Sequence, residues 1–108
     1  TRVQGFVEKI TDIIPSKNDD HVRELLMILQ RMELNNENEG KIFNICITIW
    51  KNTRKKPSVR YNAFKLIVSI VQNHPDLKKE IEMLTVDRYL HPLSNTVKKS
   101  ILKMLSFI

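Results

Sequence analysis

Apolar residues recur at helical spacing along nearly the whole chain, and the pattern is clearest between two prolines, over residues 57–75. Stepping about 100° per residue, Val59, Ala63, Leu66, Ile67 and Ile70 share one face, which Phe64, Val68 and Val71 widen past a half-turn. Only Asn62, Lys65, Ser69 and Gln72 form a polar stripe. So wide an apolar arc predicts contact with more than one neighbouring element. Ser58 is placed to cap this helix, because its hydroxyl can accept a free N–H of the first turn. Pro75 disfavours a helical His74, so the helix should stop near Asn73. Arg60 breaks the pattern: it falls between Ile67 and Val71, inside the apolar arc.

The flanking segments follow the same period. Residues 3–14 place Val3, Phe6, Val7, Ile10, Ile13 and Ile14 at helical spacing, with Gly5 as a weakness, and residues 15–18 read as a turn. Asp19 or Asp20 should cap a second helix, reaching about Met32 and carrying Val22, Leu25, Leu26, Ile28, Leu29 and Met32. Residues 34–40 read as a polar connection. Residues 41–52 fit two templates. Phe43, Ile45, Ile47 and Ile49 alternate as in a strand, while Ile42, Ile45, Cys46, Ile49 and Trp50 make a helical face. No second alternating segment exists to pair with a strand here, and a lone strand is unstable, so a buried helix is expected. Residues 53–57 form a basic turn. After Pro75 a short helix should run to about Leu84, with a single turn over 86–89. Ser94, Asn95 or Thr96 caps a last helix carrying Val97, Ile101, Leu102, Met104, Leu105 and Ile108. The expected fold is therefore all-α, one domain over residues 1–108, with six main helices. Its core should contain Val22, Leu26, Leu29, Ile45, Ile49, Ala63, Leu66, Ile70 and Ile101.

Three of these helices open alike, on Val22-Arg23, Val59-Arg60 and Val97-Lys98. Leu26, Ala63 and Ile101 follow four residues after each valine, and Leu29, Leu66 and Met104 follow after seven. A period near 40 residues with two helices per unit resembles HEAT repeats, of the armadillo-like class. In that family the second helix opens with Asp-x-x-Val-Arg-x-x-Ala. Val59 to Ala63 matches best, its alanine one place late; the other two helices match in part. The resemblance implies a right-handed α-solenoid of about three helix pairs, near residues 3–33, 38–73 and 76–107. It also implies that Arg23, Arg60 and Lys98, at one wheel position, are inter-repeat cations. The family's acidic ladder partner is present only as Asp19 or Asp20. The chain looks like the small stand-alone bacterial members of this class. Some of those carry an adenylosuccinate lyase label, but that superfamily's Ser-Ser-x-Met-Pro-x-Lys loop is missing here.

Composition narrows the function classes. The chain has 108 residues, enough for a core without staples. Two glycines and 42% hydrophobic residues argue against disorder and against turn-rich β folds. Cys46 is the single cysteine, which leaves no intrachain disulfide and no multi-cysteine zinc site. His21, His74 and His91 lack ligand spacing, and no Gly-rich phosphate loop is present. Glu33, Glu37 and Glu39 lack the regular oxygen ladder of a calcium loop. The first residues are not a signal peptide, and no apolar run is long enough for a membrane span, so a cytoplasmic setting without membrane contact is expected. The chain opens on Thr1 rather than an initiator methionine, which leaves any removed leader open.

The net charge of +6 permits an anionic partner without requiring one. Lys51, Arg54, Lys55, Lys56 and Arg60 place five cations within ten residues and form the candidate partner-binding surface. In stacked helix pairs this turn should lie on one edge near Lys17, with Arg88 or His91 close by; Glu33, Glu37, Glu39 and Asp76 should lie on the other. The plain alternative is a solvated edge. The expected function is a non-catalytic protein-interaction module without catalytic residues, cofactor or metal. Binding of a nucleic-acid backbone is the alternative, because some HEAT-like DNA glycosylases hold DNA on a basic face. Trp50, between a core stripe and the basic turn, is expected in the core.

Overall fold

A computed structural model describes the backbone of residues 2–108 and the side chains of residues 5–108, so Val3, read as part of the first helix's apolar pattern, lies outside the described side chains. Seven α-helices make up these residues: α1 (Arg2–Ile13), α2 (Asp19–Leu29), α3 (Asn36–Lys51), α4 (Pro57–Asn73), α5 (Lys78–Leu84), α6 (Asp87–Leu90) and α7 (Asn95–Leu105). Short 3-10 turns over Ile14–Ser16 and Pro75–Leu77 extend α1 and precede α5. No strand occurs among the described residues.

The chain builds its helix starts from asparagine and proline more than from the residues expected. Asn18, not Asp19 or Asp20, caps α2: its side chain accepts the His21 N–H at 3.0 Å. Ser58 does not cap α4. Pro57 occupies the first helical turn, where a missing N–H costs nothing, and the helix starts two residues earlier than a Ser58 cap allows. Of the polar stretch 34–40 only Leu34 and Asn35 lie in the connection, because α3 already begins at Asn36. Asn35 accepts the Asn38 N–H at 2.8 Å, and Glu37 and Glu39 lie in the first turn, where the helix dipole favours negative charge. Ser94 caps α7, accepting the Val97 N–H at 3.3 Å. Helix α2 ends at Leu29, three residues short of Met32, and tightens into hydrogen bonds from Arg31 to Ile28 and from Met32 to Leu29. Helix α4 ends at Asn73, as Pro75 requires.

Residues 41–51 are helical, and their neighbours explain the strand-like pattern. Helix α3 packs on α1, α4 and α5, so it is covered from three sides. Ile42, Phe43, Cys46, Ile49 and Trp50 are buried, while Ile45, expected in the core, and Ile47 are half-buried. The other expected core residues, Val22, Leu26, Leu29, Ile49, Ala63, Leu66, Ile70 and Ile101, are all buried. Helix α4 packs most extensively on α3 and touches α2 and α7 as well, which is why its apolar arc exceeds a half-turn. Asn62, read as part of the solvent stripe, is buried: its Oδ1 accepts from Gln30 Nε2 at 2.9 Å and its Nδ2 donates to the Ser58 carbonyl at 2.8 Å. No helix among the described residues is long and apolar enough to cross a membrane.

Candidate functional site

The basic turn between α3 and α4 separates into an inner and an outer part. Arg60 points inward and is 1% exposed. Its Nε donates to the Trp50 carbonyl at 2.9 Å and its Nη2 to the Tyr89 carbonyl at 2.7 Å. Both carbonyls lie in the last turns of their helices, α3 and α6, where no intrahelical N–H is available. The guanidinium also lies 4.5 Å from the centroid of the Trp50 ring, which packs at a 45° tilt against Phe64, their centroids 4.6 Å apart. Trp50 is fully buried, and its Nε1 donates to the Leu84 carbonyl, at the end of α5, at 2.7 Å. Three helix C-termini therefore converge on two side chains. A cation at that point also matches the negative ends of the helix dipoles. Burial lowers the pKa of Arg60 from its ordinary value, yet a guanidinium stays charged.

Lys55 and Lys56 face α2. Lys55 Nζ is 3.1 Å from Asp19 Oδ1, and Lys56 Nζ is 3.1 Å from Asp20 Oδ1. The Lys56 backbone N–H donates to Asp19 Oδ2 at 3.1 Å. That backbone bond, and then the Lys55 ammonium, hold the Asp19 carboxyl below its usual range, with partial burial acting against them. Asp19 thus ties the start of α2 to the start of α4. Lys51 and Arg54 are exposed and have no ion pair among the described residues. Lys51 lines a groove of about 410 Å³ with Ile47, Glu80, Met83, Val86 and Arg88. On the other flank of α3, a second groove of about 410 Å³ is apolar, lined by Ile14, Val22, Ile45 and Ile49, with Lys55 at its rim. Arg88, flagged as a neighbour of the basic turn, thus shares a groove with Lys51.

Of the other two candidate inter-repeat cations, Arg23 is half-buried, with its Nε enclosed and lacking a hydrogen-bond partner among the described residues, and Lys98 is half-buried on α7. On the opposite edge Glu39 is not a solvated loop residue. It is buried and meets His74 Nε2 at 3.1 Å, joining the first turn of α3 to the end of α4. Sequence reasoning missed this pair and the Asp19 bridge, because each joins segments more than 30 residues apart whose meeting depends on helix packing. Cys46 is enclosed in the core, and burial pushes its thiol far above the ordinary range, so it stays protonated and is a poor nucleophile. Among the described residues no three His, Cys, Asp or Glu side chains gather where they could hold a metal ion. Comparison with family models, characterised proteins and solved structures finds no match to this chain.

Proposed function

We propose that the chain is a non-catalytic protein-interaction module, built as three HEAT-like helix pairs in a short right-handed solenoid. Two features support the architecture. Helices α1, α3 and α5 touch in succession, as do α2, α4 and α7, which is the order of two stacked layers. The smallest Cα extent, 18 Å, suits two layers of helices whose axes lie about 8–10 Å apart. On this reading α1–α2, α3–α4 and α5–α7 are the pairs, and Arg60 is a cation held across the boundary between the second pair and the third.

One observation carries the functional half. The end of α3 and the turn after it present Lys51 and Arg54 without ion pairs among the described residues, with open grooves on either flank of α3. Such an edge suits an acidic protein surface, with Lys55 and Lys56 widening the contact and Arg60 bracing the turn from behind. The module requires no cofactor. Nucleic-acid backbone binding has less support, because Asp19 and Asp20 reduce the positive potential around Lys55 and Lys56. The test is co-purification from cells in which the chain is native, with the parent and with a Lys51→Ser, Arg54→Ser variant. The reading expects a protein captured by the parent and largely lost from the variant, with folding intact. Capture of nucleic acid that falls steeply with salt favours the alternative. Equal capture by both variants removes the edge from consideration.

A further inference from the structure

We infer that the groove between the end of α3, α5 and α6 is a docking site for an acidic peptide segment, whose carboxylate lies between Lys51 and Arg88 while a neighbouring apolar side chain rests on Met83 and Val86. The inference rests on the interaction-module reading and specifies its site and ligand chemistry.

The polar wall carries three donors. Arg88 Nη2 donates to the Tyr89 hydroxyl at 2.8 Å, which uses one of the five N–H groups of the guanidinium. The hydroxyl accepts that bond and keeps its own hydrogen to donate. The Arg88 hydrogen bond holds the Tyr89 hydroxyl below its ordinary pKa against partial desolvation, and the charges of Arg88 and Lys51 act in the same sense. Lys51 from α3 and Arg88 from α6 both line this groove with Tyr89. Neither has an ion pair among the described residues. Glu80 lines the same groove and leaves it with one net positive charge. That balance suits a single carboxylate and disfavours a run of phosphates.

The apolar wall supplies the second half. Met83 is 71% exposed and Val86 47% exposed, and Ile47 and Leu84 line the groove beside them. Methionine is unbranched and polarizable, which lets it adapt to side chains of different shape. Apolar surface beside convergent donors is the pattern of a site that reads one charged and one apolar group together.

Peptide display on the intact chain, with random peptides of about a dozen residues, tests the site, followed by fluorescence anisotropy with the enriched peptides. The expected result is enrichment of Asp or Glu within one or two positions of Leu, Ile or Phe. Lys51→Glu and Arg88→Glu should each weaken those peptides by about tenfold, as for repulsion introduced beside a bound charge. Met83→Ser should weaken them several-fold, and Glu80→Gln should tighten them. Glu80→Gln is nearly isosteric and its effect has the opposite sign, so misfolding cannot imitate the pattern. Failure to enrich any peptide, enrichment of basic peptides, or acidic peptides indifferent to Lys51→Glu and Arg88→Glu each overturns the site. Acidic peptides that depend on Arg54 instead overturn the groove and leave the module reading intact. That reading fails separately if co-purification captures no protein.

Discussion

Arg60 shows how one residue can serve several elements. A lysine carries the same charge, but its compact ammonium cannot reproduce the fork that spans the Trp50 and Tyr89 carbonyls. Arg60→Ala should cost roughly 3–5 kcal/mol, since two buried acceptors lose their donors and Trp50 loses a packing partner. Arg60→Lys should cost about 1–3 kcal/mol. Urea midpoints measure both, and a value unchanged for Arg60→Ala would mean that water satisfies these carbonyls. Asp19 makes a pH-dependent contribution. Its carboxyl is held below its ordinary value in the folded chain, so the stabilisation is present above the unfolded value of about 3.9 and is lost as pH falls through the folded value. Asp19→Asn should therefore lower the denaturation midpoint at pH 7, and the gap from the parent should begin to narrow below about pH 4 and close only once pH is below the folded value. A gap that does not narrow at all as pH falls below about 4 would assign the effect to packing instead of charge.

At the scale of elements, α4 dominates because it touches α2, α3 and α7. Leu66→Ala should cost about 2–5 kcal/mol, and Ala63→Leu about 1–3 kcal/mol, because both residues are buried where helices meet. Helix α3 offers a change of the opposite sign. Gly40 lies inside α3 on an exposed position, and an added Cβ there meets no atom within 4 Å. Gly40→Ala should raise stability by about 0.5–1 kcal/mol, because alanine restricts the unfolded chain and favours the helix. Chemical denaturation measures this, and a loss of stability would mean that the first turns of α3 depart from helical geometry. The same helix explains why residues 41–52 satisfied two templates. Apolar residues on nearly every side of a helix enclosed from three directions produce alternation as a by-product.

For the whole molecule, the α3–α4 edge is where the proposed contact with a partner is put to the test. Replacing Arg54 alone should change stability by no more than about 0.5 kcal/mol, as for other exposed positions. Replacing Arg54, Lys55 and Lys56 together with serine should cost about 1–2 kcal/mol, because Asp19 and Asp20 lose their ammonium partners. Thermal melts of the single and triple variants separate the two cases, and a triple variant as stable as Arg54→Ser would show that the ion pairs contribute nothing. Binding studies are cleaner with the Lys51→Ser, Arg54→Ser pair, which leaves those bridges in place. A Cα radius of gyration of 13.3 Å is close to the ~13 Å expected for a packed chain of this length, so the helices form a short block instead of a long arc.

Local rules were enough to read the helical class, the end of α4 before Pro75, the exposed basic turn and most of the core. Periodicity, proline geometry and burial of one face act within a few residues, and the sequence carries them directly. The starts of α2, α3 and α4 were also local, but asparagine caps and a proline in the first turn outcompeted the Asp and Ser candidates. Tertiary structure alone decided the roles of the charges. Arg60 turned inward because the ends of α3 and α6 bring two unpaired carbonyls to it. Lys55 and Lys56 met acids because α2 begins beside α4, and Lys51 and Arg88 came to line one groove because Arg60 joins the ends of α3 and α6. Each of those outcomes depends on which helix ends meet in space, and a charge in a linear pattern carries no record of that.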